Sequence, residues 1–205
     1  MPGADSMALP VWNPSKPAVE EPHSLRRHIL RGEGMTMELM PYDRRAAVEY
    51  AHRWAYGRNP RFYDYEDIGG DCTNFASQCL YAGSGVMNFT PTFGWYYIDA
   101  NRKAPAWTGV EYLRNFLVRR ESSVGPAARE SNIDQIEPGD IVQLSFTGEG
   151  FQHSPVVVAV KGNTLSDILV AAHSYDADNR PLDTYVFQDI RFLHVIGVWK
   201  PGRRS

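Results

Sequence analysis

Cysteine is scarce. The 205-residue chain holds two, at positions 72 and 79, too few for a disulfide-stapled scaffold or a four-thiolate zinc site. No run approaches the roughly eighteen apolar residues that a membrane-spanning helix needs. Internal repeats and low-complexity tracts are absent as well. Neither sign of charge dominates: 21 Lys and Arg stand against 24 Asp and Glu, a net charge of −3. That balance argues against nucleic acid as a partner. The N-terminus lacks the basic segment and apolar core of a secretory signal, which favours a cytoplasmic location, or a secreted one if the N-terminus was processed. What is present is ordinary globular material, 43% hydrophobic and 22% charged, enough for one domain with a packed core.

Residues 1–40 read as an N-terminal extension. Prolines interrupt its first part, the first 22 residues are expected to be mobile, and 25–40 form a short helix or strand. The domain is expected over 41–200, with 201–205 as a tail. Asp43 is a good N-cap for a helix whose apolar residues recur at three- and four-residue spacing from Ala46 to Ala55. After Gly69-Gly70-Asp71, a second helix runs from Cys72 and stops at Gly83. An irregular aromatic stretch over 84–107 follows, and Thr108 with Glu111 forms a capping box for a third helix. Apolar runs separated by tight turns then predict strands over 141–146, 153–160, 168–173, 184–187 and 191–199, with 174–180 as a loop. Helices first and a strand meander second give an α+β fold with an antiparallel sheet.

On a helix, Cys72 and Cys79 lie about 10 Å apart along the axis. That exceeds the reach of a disulfide, about 7 Å between Cα atoms, and of one zinc ion binding sulfur at about 2.3 Å. Cys79, amid Phe75, Ala76 and Leu80, reads as a buried small hydrophobe. Cys72 opens its helix, where free N–H groups and the helix dipole favour a thiolate. Asp71 is expected to cap that helix through the N–H of Thr73 or Asn74. Its negative charge opposes the thiolate.

Of the histidines, His23 and His28 carry no pattern, His52 falls on a polar helix face, and His194 reads as a satisfied core residue. His153 and His173 differ. If their strands pair through the turn at 161–163, both sit at one edge of the sheet. A cysteine nucleophile needs an imidazole beside it and a further group to hold that imidazole. Cys72, His153 and His173 supply these types, and the same pair of histidines is also compatible with a structural role. A metal hydrolase using His153, His173 and Asp176 or Asp178 fits the residue types but leaves Cys72 unexplained. A non-catalytic module binding peptides or cell-wall fragments is the other alternative.

The segment Asp71-Cys72-Thr73-Asn74-Phe75-Ala76-Ser77-Gln78, together with Tyr42-Asp43-Arg44, Asn59-Pro60, Trp95, Trp107, Pro138-Gly139-Asp140, His153-Ser154 and His173-Ser174, resembles the bacterial putative-amidase domain family. That family is similar to papain-like Cys/His hydrolases and to CHAP amidohydrolases. The resemblance implies a papain-like α+β fold in which the cysteine-bearing helix packs on an antiparallel sheet carrying the histidines. It implies hydrolysis of an amide or peptide bond, with Cys72 as nucleophile, His153 as general base and acid, and His173 in the third place, for which Asp176 and Asp178 compete. Asp71, Asn74, Trp95 and Gln152 are the expected substrate contacts, with Asn74 a candidate oxyanion donor. The expected partner is a peptide or amide substrate, cell-wall derived or not, with no cofactor and no metal.

Overall fold

The computed structural model describes residues 36–202. The expected mobility of 1–22, the helix-or-strand reading up to 35, and His23 and His28 lie outside these residues, as do 203–205. Met37–Met40 form β1, an edge strand of the sheet.

Asp43 caps α1 (Arg44–Trp54) as its sequence suggests, its Oδ1 accepting from the Ala46 N–H at 2.9 Å. The second helix, α2 (Cys72–Ser84), is buried along nearly its whole length. Its stop lies at Gly85 rather than Gly83. Gly85 has φ +68° and its N–H bonds the Tyr81 carbonyl. Gly83 is needed for another reason: a Cβ there would lie 2.3 Å from the Tyr42 ring and 2.7 Å from the Asp43 carbonyl. Thr108 ends a short turn, α3 (Pro105–Thr108), and α4 (Val110–Leu117) starts from Gly109 without a side-chain cap. The predicted capping box is therefore replaced by an ion pair, with Glu111 3.1 Å from Arg191.

Among the described residues the sheet has seven strands, all paired antiparallel, in the order β1-β7-β3-β4-β5-β6 with β2 also on β7. The further strands are β2 (Gly125–Ser131), β3 (Ile141–Ser145), β4 (Val156–Val160), β5 (Ile168–Ala172), β6 (Ala177–Pro181) and β7 (Asp189–Pro201). The chain is thus a mixed structure of helices and antiparallel sheet. Two strands escaped the sequence reading. β2 is rich in alanine and charge, and β6 is a polar edge strand; neither has an apolar run to announce it. The strand expected over 184–187 is instead the exit of a 3-10 turn, Leu182–Thr184.

Gln143 in β3 donates to the Val110 carbonyl at the start of α4, so that face of β3 looks toward the helices. Side chains alternate along a strand. Val142 and Leu144 therefore enter a second apolar cluster with Val157, Val170, Leu182, Tyr185 and Phe192. The centre of the sheet is covered on both faces, which explains strands that read as continuous apolar runs.

Replacing Gly83 by Ala is expected to lower stability by about 1–3 kcal/mol, the usual range for overpacking. Gly85→Ala, where only the left-handed backbone opposes a side chain, is expected to cost about 1–2 kcal/mol. Urea unfolding of the two variants measures both. An unchanged midpoint for Gly83→Ala would show that Tyr42 can move aside freely.

Candidate active site

Cys72 is the first residue of α2 and is 7% exposed. Its sulfur lies 3.8 Å from the Gln152 carbonyl oxygen and 3.7 Å from Thr73 Oγ1. The backbone N–H groups of Ser154 and Thr73 also point at it. The thiol therefore meets the residues on both sides of His153. That segment is held by an isolated bridge to β3, with the His153 N–H and carbonyl both bonded to Leu144. The His153 ring packs against Phe146 and Tyr185, at centroid distances of 5.9 and 5.6 Å, and its Nε2 has no hydrogen-bond partner.

Burial sets the protonation states. It pushes the Cys72 thiol up, against the hydrogen bonds from Thr73 and Ser154, with the Asp71 charge adding a smaller upward push. Burial, aided by the charge of Arg180, lowers His153 from 6.5 to about 4. Burial thus opposes both the thiolate that the helix dipole would favour and an imidazolium at His153. Desolvation opposes a charge on either group more strongly than the first turn of the helix favours one.

Asp71 does not cap α2. Its Oδ1 accepts from the Tyr65 N–H at 2.9 Å and from the Asn74 side-chain amide at 2.8 Å. Its Oδ2 accepts from His173 Nδ1 at 2.5 Å, while His173 Nε2 donates to the Trp54 carbonyl at 2.8 Å. Both ring nitrogens of His173 thus serve oxygen acceptors, and the ring stacks on Phe75 with centroids 4.1 Å apart. The β4–β5 pairing expected from the turn does form, but His173 uses it to grip the start of α2 rather than to hold His153. Its bonds fix the start of α2, where Cys72 lies.

The expected substrate contacts are mostly spent on structure. Asn74 is 1% exposed, donates to the Tyr63 carbonyl and to Asp71, and accepts from Trp107 Nε1. No part of Trp95 is exposed; its Nε1 donates to Ser77 Oγ, and its ring packs on Trp107 and Phe116. Asp71 is equally buried. Gln152 is exposed, but its amide closes the turn before His153 through Glu149 O, Gly150 O and the Phe146 N–H. The rivals for the third place are also engaged, Asp176 by Arg58 and Asp178 by His52. Among the described residues, no three His, Cys, Asp or Glu side chains converge as a metal site.

Sequence reasoning missed Thr73, Ser154, Gln143, Arg180 and Tyr185. Thr73 Oγ1 donates to Ser154 Oγ at 3.2 Å, and Gln143 Nε2 donates to the same oxygen at 3.3 Å. Thr73 and Ser154 adjoin the two proposed catalytic residues in sequence, a signal that was available. Arg180 and Tyr185 arrive from β6 and the turn after it, and no local pattern marks them.

Two outcomes follow for stability. His173→Ala is expected to lose about 3 kcal/mol, the lower end for breaking a buried pair, because Asp71 Oδ2 then keeps only Arg58 Nε at 3.9 Å; a role confined to catalysis would leave the unfolding midpoint unchanged. His153 stays neutral in the folded protein down to about pH 4, whereas the unfolded chain takes up the proton near 6.5. Its contribution is therefore fully present above pH 6.5 and lost as pH falls toward 4, by about 3 kcal/mol in total. Urea titrations at pH 7 and pH 4.5 should show a steeper loss for the wild type than for His153→Gln.

Residues 41–196 match the family described as putative amidase domain. An uncharacterized protein of Bacillus subtilis (strain 168), YhbB, is 34% identical over 142 residues, covering 68% of this chain and 43% of that protein. The chain thus spans less than half the length of this relative. No solved structure matches. With that match spanning well over half of the chain, from before α1 into β7 and including Cys72 and His153, the chain belongs to the putative amidase domain family.

Proposed function

We propose that this protein is a cysteine-dependent hydrolase of amide or peptide bonds that works through a thioester acyl-enzyme, in the manner of papain-like Cys/His hydrolases. The observation that carries this reading is the contact of Cys72 Sγ with both neighbours of a buried, neutral His153. A neutral imidazole can accept a proton, and a thiol at a helix start has one to give.

In the first step His153 takes the Cys72 proton as sulfur bonds to the carbonyl carbon. The oxyanion forms near the first N–H groups of α2, which Asp71 leaves uncapped and which are suited to developing negative charge. The C–N bond then breaks, and the imidazolium returns its proton to the leaving amine. Water attacks the thioester with His153 again accepting a proton, releasing the carboxylic acid and restoring the thiol. The wide spacing of Cys79 from this centre and its complete burial leave it outside the chemistry.

Incubation with a panel of N-acyl amides, short peptides and cell-wall peptides, read by mass spectrometry, tests the reading. Hydrolysis is expected for the wild type and is expected to fall by at least about a thousandfold in Cys72→Ala and His153→Ala, in keeping with loss of a nucleophile or its base. Intact-mass labelling with iodoacetamide should mark Cys72 before Cys79, with a rate that keeps climbing beyond the ordinary thiol range rather than levelling off near neutrality. Hydrolysis retained by Cys72→Ala would overturn the nucleophile assignment. Saturable binding without turnover would identify a binding module instead.

A further inference from the structure

The third place beside a catalytic histidine is not filled by His173, Asp176 or Asp178, since each is bonded elsewhere. Yet His153 Nε2 is buried and has no partner. A buried polar atom left in that state is costly and uncommon, so its surroundings should contain the missing group. A second unpartnered atom lies on the adjacent ring. Tyr185 Oη is also buried without a hydrogen bond, and the two rings are 5.6 Å apart at an angle of 45°. Both residues are more than nine-tenths buried, His153 at 3% and Tyr185 at 8% exposure.

We propose that Tyr185 is the positioning residue for His153, its hydroxyl reaching Nε2 through one bound water. This rests on the catalytic reading of His153, although the bond itself does not require turnover. Other neighbours are poor candidates. Arg180 lies over the Tyr185 ring, 3.7 Å from its centroid, and its guanidinium acts on the phenol oxygen as well, but no bond of regular geometry joins them and its Nε and Nη2 are directed to Thr184 Oγ1 and Thr184 O. Phe146, the other ring packed against the imidazole, has no polar side-chain atom to offer.

The chemistry suits the pair. With Nε2–H donating to that water and the water to the phenolic oxygen, Nδ1 keeps its lone pair and can take the thiol proton. When His153 becomes an imidazolium, the same bond becomes charge-assisted and strengthens. A hydroxyl suits a site in which His153 rests neutral, because it adds no ionised carboxylate to the burial cost. Desolvation pushes the Tyr185 phenol up, with Arg180 opposing, so the group stays protonated and uncharged while it serves.

The test is histidine ¹⁵N NMR of the full chain at pH 7, comparing wild type with Tyr185→Phe. That variant keeps the ring packing and removes only the oxygen. The wild type is expected to show His153 in the Nε2–H tautomer with slow exchange of that hydrogen. In Tyr185→Phe the Nε2 signal should move, its hydrogen should exchange faster, and iodoacetamide labelling of Cys72 should slow by about tenfold, the lower end for loss of an orienting partner. An unchanged Nε2 signal in Tyr185→Phe overturns the proposal, as does a dominant Nδ1–H tautomer in the wild type, which needs no variant at all. Because the NMR readout is independent of hydrolysis, a shifted signal in a protein that cleaves nothing would keep the Tyr185–His153 bond while rejecting the hydrolase reading.

Discussion

The structure turns on one buried bond, between Asp71 Oδ2 and His173 Nδ1 at 2.5 Å. It joins the last residue before α2 to the end of β5, and so fixes the Cys72-bearing helix to the sheet. Around it, the Tyr65 N–H, the Asn74 amide and the Trp54 carbonyl satisfy the remaining atoms of the pair. Next to it, Ser174 Oγ accepts from the Asp71 N–H and donates to Glu66. A buried polar network of this kind is favourable only when every member is satisfied, and this one specifies a single position for the helix start. Gly70 belongs to the same constraint: it has φ +97°, and a Cβ there would meet Ser174 Oγ at 3.0 Å.

A second polar seam runs from the residue after Cys72 into the sheet. Thr73 bonds Ser154, Gln143 bonds Ser154 and the Val110 carbonyl, and Arg191 bonds Gln143 and pairs with Glu111. It ties α2, the segment after His153, β3, α4 and β7 together. The first network sets where Cys72 lies, and the second sets the distance between Cys72 and the His153 segment. Both are built from uncharged or paired groups, with the Cys72 thiol and the His153 segment between them.

The helix carrying Cys72, the cap at Asp43, the α+β class and most central strands were legible because apolar periodicity and turn residues report local structure directly. Residue types also singled out Asp71, His153 and His173. Their partners were not legible. The sequence suggests that Asp71 caps a helix because helix-start aspartates commonly do, but its acceptor capacity is claimed by Tyr65, Asn74 and His173. Trp95 looks like a groove wall in a run of aromatics, yet its neighbours are Trp107 and Phe116 from later segments. Arg180 and Tyr185 could not be found at all, because their meeting with His153 depends on β6, a strand with no apolar signature.

Burial then decides how such a site can operate. A thiolate–imidazolium pair would place two charges where desolvation opposes each of them, and the first turn of α2 and Ser154 offer only dipoles in return. A neutral pair avoids that cost at rest and creates charge only as the thiol proton moves. In the proposed reaction the charge on sulfur is short-lived, since it passes to the carbonyl oxygen as the S–C bond forms. What must be stabilised throughout is the imidazolium, and the Arg180 guanidinium works against it. A partner that strengthens its bond as His153 becomes charged, without bringing a charge of its own, meets that requirement with the least desolvation.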